Sequence, residues 1–226
     1  MALINPEGRM KSSPPITTLF VDIGGVLLTN GWDRFARKRA AVHFKLEDDF
    51  QEIEDLHHLM FASYEEDRFS LREYLRRSVF HKERPFTQEQ YWEFMASQSQ
   101  PYPEMIELVS QLKLKHRLKI VVVSNEAREL NAHRIGTFKL DGFVDFFISS
   151  CFVHVRKPDA NIFRMALDIA QSPVEQIVYL ENTPMFIDIA RDLGIRGILH
   201  TDYSSTKAKL ASYGLLTAER VAHDFH

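Results

Sequence analysis

Residues 16–27, ITTLFVDIGGVL, decide how the rest of the chain is read. A short apolar run, Ile16 to Val21, leads straight into Asp22, and a pair of glycines, Gly24 and Gly25, follows. An unbroken run of this length reads as a strand buried on both faces, the kind that parallel sheets contain. Four further runs repeat the design. Residues 119–123 (KIVVV) end in Ser124-Asn125, and residues 144–148 (VDFFI) come next. Residues 177–180 (IVYL) end in Glu181-Asn182, and residues 197–199 (GIL) form a shorter fifth. Between these runs, residues 129–138, 160–170 and 185–193 repeat with helical periodicity. Strands alternating with helices predict a doubly wound, mainly parallel, Rossmann-like α/β sheet.

One connection is far longer than a crossover needs: about a hundred residues separate the first run from the second. This stretch is rich in charge and aromatic rings, and helices are predicted over residues 33–44, 46–61, 70–80 and 87–97. Ser70 and Thr87 suit N-caps, because each side-chain oxygen accepts from a free amide of the first turn. Thr87 with Gln90 also fits a capping box. The insert is therefore expected to be an all-helical cap subdomain over residues 33–99. Residues 100–103 (QPYP) return the chain, since two prolines break the helix, and Pro103 opens the next one. The expected organisation is a flexible leader over residues 1–15, an α/β core from 16–32 and 100–226, and the cap between.

Composition narrows the function classes. Hydrophobic residues make up 45% of the 226 and charged residues 26%, as in an ordinary globular protein. The net charge of -3, with no basic stripe, argues against a nucleic-acid partner. Cys151 is the single cysteine, so no internal disulfide forms, which fits a reducing compartment. The first residues, MALINPEGRMKSSPP, lack the apolar core of a secretory signal. No apolar run reaches membrane-span length. A cytoplasmic protein without a membrane partner is expected, as a monomer or a homodimer.

In an open α/β sheet, ligands bind beyond the carboxyl ends of the strands. Those ends here are Asp22, Ser124-Asn125 and Glu181-Asn182, while Lys157 follows the third strand in Val155-Arg156-Lys157-Pro158. In this order, with a cap between the first two, the motifs resemble the haloacid-dehalogenase superfamily from Thr17 to about Leu215. The Asp-x-Gly-Gly-Val form of the first motif resembles its glucose-1-phosphatase-like branch, as do residues 120–124 and Arg156-Lys157-Pro158. The resemblance implies a hydrolase of a small phosphorylated metabolite, a sugar phosphate among the candidates. Asp22 would be the nucleophile that becomes an aspartyl-phosphate, and Lys157 would neutralise developing charge. Ser124, Asn125 and the backbone around Gly24 and Gly25 would bind the phosphoryl oxygens. Mg²⁺ would sit among Asp22, the carbonyl of Gly24, Glu181 and Asn182.

Two positions depart from the superfamily pattern. Gly24 stands where a second aspartate usually protonates the leaving group, and Asn182 stands where an aspartate is common. An amide oxygen still coordinates Mg²⁺ but brings no charge, so affinity should fall. Two other functions stay open. One is a metal-independent 2-haloacid dehalogenase, although that group usually carries an aromatic residue where this chain has Gly24. The other is a non-catalytic relative that binds a phosphorylated ligand through Ser124 and Lys157. Lesser candidates have plain structural readings beside them. Glu126 either faces the substrate or starts a helix. Asp33 reads better as an N-cap than as a proton donor. His154 lies near Lys157. The remaining histidines lack metal-ligand spacing, and His57 and His58 fall on different helix faces. Arg37, Lys38 and Arg39 read as a solvated charge run, and the cap's aromatics as its own core or its seam with the sheet.

Overall fold

The five apolar runs become five strands in the computed structural model, which describes residues 14–215. They are β1 (Thr18–Val21), β2 (Lys119–Ser124), β3 (Phe146–Ser149), β4 (Ile177–Glu181) and β5 (Arg196–Leu199). All pair in parallel, in the order β3-β2-β1-β4-β5. Alternate side chains pack on opposite faces. Leu19, Val21, Ile120, Val122, Val178 and Leu180 join one core with Met105, Leu108, Val109 and Leu112. Phe20, Val121, Val123 and Tyr179 join the other with Ile162, Phe163, Ala166 and Ile187. Burial on both faces is why these strands read as continuous apolar runs. The strand order reverses between β1 and β4. That switch point opens the crevice where such sheets bind ligands.

The insert folds as the expected helical cap: α1 (Arg34–His43), α2 (Phe50–Glu65), α3 (Leu71–Ser78) and α4 (Gln88–Ser97). Asp33 caps α1 by accepting from the Ala36 amide at 2.8 Å, and Ser70 accepts from the Glu73 amide at 3.2 Å. Thr87 and Gln90 close both arms of the capping box. The second helix starts later than its periodicity suggests and runs on to Glu65. Lys45 (φ 57°) ends the first helix, and residues 47–49 form a turn, with the Asp49 amide on the Leu46 carbonyl and the Phe50 amide on the Glu47 carbonyl, before the second helix begins. The aromatics form the cap's core: Tyr64 stacks on Tyr74 at 4.4 Å, and Tyr91 packs among Phe44, Phe86 and Trp32.

Arg37 is not on a solvated face. It is buried, its guanidinium pairs with the buried Glu54 of α2, and it donates to the Trp32 carbonyl at 2.7 Å. Ala36, Ala40 and Ala41 share this inward face of α1, and their small side chains let the arginine reach across. The rest of the core supplies α5 (Pro103–His116), α6 (Arg128–Thr137), α7 (Ser150–Val153), α8 (Asn161–Ala170), α9 (Pro184–Asp192) and α10 (Tyr203–Ser212). The sequence reading contained neither α7 nor α10. The two linkers to the cap run antiparallel: Thr29 N donates to the Gln100 carbonyl, and Tyr102 N to the Leu27 carbonyl. Among the described residues no helix is long and apolar enough to cross a membrane. The expected leader lies, up to residue 13, outside the described residues, as does the expected core beyond residue 215.

Arg37→Ala would leave the buried Glu54 carboxylate only the exposed Arg34, 3.6 Å away, and chemical denaturation should show a loss of about 3 kcal/mol. Replacing both residues with methionine should recover most of it, because the charge no longer needs a partner.

Candidate active site

Asp22 continues β1 by one residue, and its amide donates to the Leu180 carbonyl at 3.0 Å, which locks it beside β4. Below it lies Lys157, almost fully buried. Its ammonium is 3.2 Å from Asp22 Oδ1, 2.6 Å from Glu181 Oε2 and 3.1 Å from the Tyr179 hydroxyl. The Tyr179 hydroxyl in turn donates to Glu181 Oε2 at 2.5 Å. One cation thus serves two carboxylates in a site removed from water. Burial works to lower the Lys157 pKa, but Asp22 and Glu181 outweigh it and hold it above the usual value. Lys157 therefore stays charged. Asp22 has the longer contact, and its carboxyl is pushed up to about 7. Burial is the largest cause; Lys157 opposes it, and the negative charges of Glu181 and Glu126 reinforce it.

Above this floor is a cavity of about 370 Å³ between sheet and cap. Asp22, Gly24, Ser124, Asn125, Lys157 and Asn182 line it from the core. Trp32, Arg37, His57, His58, Phe61 and Glu65 are among its cap residues. Ser124 is buried, and its hydroxyl lies 3.3 Å from Glu126 Oε1. Glu126 is held by the buried Arg134, whose Nη1 reaches the same oxygen at 2.5 Å. Arg134 also donates to the Thr29 carbonyl at 2.6 Å and to the Ser99 hydroxyl at 3.0 Å, one group on each linker to the cap. In the cap wall, the Tyr74 hydroxyl accepts from Trp32 Nε1 at 3.2 Å and meets His57 Nδ1 at 2.8 Å. Burial, followed by the charge of Arg37, drives the His57 imidazole down to about 3, so it is neutral.

Three of the candidate residues are used in ways their types did not suggest. Asn125 lines the cavity, but its side chain clamps Lys157: Nδ2 donates to the Lys157 carbonyl at 2.9 Å, and Oδ1 accepts from the Lys157 amide at 2.8 Å. The Gly25 amide donates to the Leu28 carbonyl at 2.6 Å, which takes it away from a ligand. Glycine is needed there for space. Its φ is +73°, and an added Cβ would fall 1.9 Å from Asn182 Nδ2. Glu181 is not in the cavity lining. Oε2 serves Lys157 and Tyr179, and Oε1 accepts from the Thr183 amide at 2.9 Å. Asp33 is the helix cap expected of it, with one edge on the cavity. His154 binds the Glu66 carbonyl through Nδ1 at 2.9 Å and fastens the cap.

The implied Mg²⁺ can be tested against these donors. Asp22 Oδ1 makes no hydrogen bond beyond its 3.2 Å ion pair with Lys157, and both Asp22 and Asn182 line the cavity. Among the described residues no cluster of three or more His, Cys, Asp or Glu converges. Mg²⁺ is commonly held by one or two carboxylates completed by substrate phosphate and water. Asp22, Asn182 and the Gly24 carbonyl would hold an ion of that kind, completed by substrate and water.

The sequence reading missed Tyr179, Arg134 and Glu65. Tyr179 was within reach of it, because positions i and i+2 of a strand share a face and Tyr179 stands two before Glu181. Arg134 lies on the Leu130 face of α6, one turn on, where helical spacing also pointed inward.

Gly25→Ala should cost about 1–2 kcal/mol for the left-handed backbone alone, and the displaced Asn182 should weaken Mg²⁺ binding by titration calorimetry. The raised Asp22 pKa also fixes a sign. The folded protein keeps a proton that the unfolded chain releases near pH 4, so this group's contribution to stability falls as pH rises from about 4 to 7. Urea denaturation in EDTA should therefore show Asp22→Asn gaining stability over the wild type as pH rises through that window.

Known proteins place this arrangement. The family model of haloacid dehalogenase-like hydrolases matches residues 16–194. Bifunctional epoxide hydrolase 2 of Rattus norvegicus is 29% identical over 121 residues, which are 51% of this chain and 21% of that protein. The Sus scrofa protein of that name is 33% identical over 66 residues, 29% of this chain and 12% of its own. The chain thus matches only a small part of the length of these relatives. Among solved structures, a HAD family enzyme from Bacteroides thetaiotaomicron, in complex with magnesium and inorganic phosphate, superposes with a TM-score of 0.69 at 21% identity. That match covers 84% of this chain and 98% of the other. L-2-haloacid dehalogenase from Xanthobacter autotrophicus gives 0.57 at 15% identity, over 87% and 83%. At these identities the superpositions speak for the fold alone. With a family model matching well over half of its length, the chain belongs to the haloacid dehalogenase-like hydrolases.

Proposed function

We propose that the protein is a Mg²⁺-dependent phosphatase of small phosphate monoesters, sugar phosphates among them, and that it works through an aspartyl-phosphate on Asp22. The observation that carries this reading is the Asp22 carboxylate at the strand end, 3.2 Å from a buried lysine under a cavity large enough for a metabolite. The glucose-1-phosphatase-like pattern of the first motif favours the same class. The magnesium and phosphate held by the Bacteroides enzyme of like fold agree with it.

The chain's own groups account for the attack. Asp22 is fixed by its amide to β4, so its carboxylate meets the phosphorus with little loss of freedom. Ser124, whose single hydroxyl proton goes to Glu126 Oε1 at 3.3 Å in the structure, turns that proton to a phosphoryl oxygen when the ester is bound. Lys157, clamped by Asn125, balances the charge that passes between Asp22 and the phosphoryl group. Mg²⁺, when bound, screens the repulsion between the anionic nucleophile and the anionic substrate. The aromatic and histidine side chains of the cap surround the leaving group and exclude water.

A phosphate-release screen over a panel of monoesters tests this. Turnover should require Mg²⁺ and stop in Asp22→Asn, and Lys157→Ala should lower kcat by roughly 10²–10³-fold. Undiminished turnover in Asp22→Asn would sink the reading. Halide release from 2-halo acids in EDTA would replace it with the dehalogenase.

A further inference from the structure

Gly24 leaves the cavity without the aspartate that protonates the leaving group in related phosphatases. A Cβ on Gly24 would make ordinary contacts, 3.5 Å from Asn30 Oδ1 and 3.9 Å from Arg134 Nη1, so the position is open and the carboxyl is simply absent. In-line displacement places the departing oxygen opposite the attacking one. With Asp22 on the core floor, the donor belongs in the wall that the cap supplies. The cap's proton-bearing groups there are Asp33, His57, His58, Tyr64 and Glu65. Asp33 is spent as a helix cap, and His57 is neutral and engaged with Tyr74. Burial raises the Tyr64 phenol well above its ordinary value, too weak an acid for the task. His58 is exposed, and none of the described contacts fixes its ring in place as Arg156 fixes Glu65.

We propose, on the phosphatase reading above, that Glu65 is the general acid and base of this site, a cap carboxyl doing the work of the missing core aspartate. Arg156 Nε and Nη2 both contact Oε2, at 2.8 Å each, which leaves Oε1 for the cavity. Arg156 adjoins Lys157, the residue in contact with Asp22. The Glu65 backbone is fixed as well. Ser150 Oγ donates to its carbonyl at 2.8 Å and accepts from the Glu126 amide at 2.9 Å. The carboxyl is thus registered against both core loops that carry the phosphate-binding groups. The Glu65 side chain is only partly buried; that burial and the charge of Glu126 hold its pKa above the ordinary glutamate value, while Arg156 and Lys157 restrain the rise. That is the direction an acid at neutral pH needs.

The steps balance. As Asp22 bonds to phosphorus, the bond from phosphorus to the leaving oxygen breaks, and that oxygen takes the electron pair and the Glu65 proton and departs as an alcohol. Glu65, now a carboxylate, accepts a proton from the water that attacks phosphorus. The bond to Asp22 then breaks with its electrons returning to the carboxylate, and inorganic phosphate and protonated Glu65 result.

The test compares phenyl phosphate, whose leaving group needs a proton, with 4-nitrophenyl phosphate, whose leaving group does not. In Glu65→Gln, kcat/KM for phenyl phosphate should fall on the order of 10²-fold. The nitrophenyl ester should lose far less, which also shows that the variant is folded. The alkaline limb of the phenyl phosphate pH profile should disappear. Glu65→Asp, which retracts the carboxyl by one methylene, should lower the ratio of the two rates by a smaller factor. An unchanged ratio in both variants overturns the proposal and leaves the phosphatase reading intact. Failure of the wild type to release phosphate from any monoester of the panel, these two included, overturns both.

Discussion

The site is organised around one ammonium shared by two carboxylates. Lys157 has no water to solvate it, and removing such a charge from water costs several kcal/mol unless partners replace the hydration. Glu181 and the Tyr179 hydroxyl provide the closer replacement, and Asp22 the more distant one. The imbalance is useful. Glu181 anchors the lysine, while Asp22 touches it through Oδ1 at the longer distance and lines the cavity. The triad of charges carries a net negative excess, and a phosphate ester would add to it. That excess has the sign that a cation would correct, and it is the same electrostatics that perturbs Asp22.

The sheet exists in this form to bring those groups together. β1 and β4 are neighbours in register, so Asp22 and Glu181 emerge side by side at the switch point. β2 on the other side of β1 delivers Ser124 and Asn125 to the same edge. Lys157 comes from the loop beyond β3 and would be free to wander without the two hydrogen bonds from Asn125. A residue that looks like a ligand for phosphate therefore acts first as a support for the cation.

What was legible in the sequence is what depends on near neighbours. The strands were visible because burial on both faces makes them continuously apolar, and the Thr87–Gln90 box because both partners lie within one turn. The order of polar groups at strand ends was visible for the same reason. Partnerships across long stretches were not. Arg37 reads as part of a surface run because its partner Glu54 belongs to another helix. Arg134 serves two linkers at once, and neither is marked by a motif. Two short-range partnerships carry no motif either: the Gly25 amide closes on the Leu28 carbonyl in a backbone turn that no side chain marks, and Tyr179 meets Glu181 only because alternate strand residues share a face.

The cap is attached at two different kinds of seam. At the linkers, the buried Arg134 joins Thr29 and Ser99 to Glu126. Across the cavity, Glu65 to Arg156, Asp67 to Arg128 and the Glu66 carbonyl to His154 fasten the end of α2 to the core through groups that water partly reaches. Shielded bonds and wet ones respond differently to their surroundings, since ions screen the second and scarcely touch the first. The cap is therefore built like a door with its pivot in the dry interior and its latch in the solvent. Salt should thus loosen the second seam before the first.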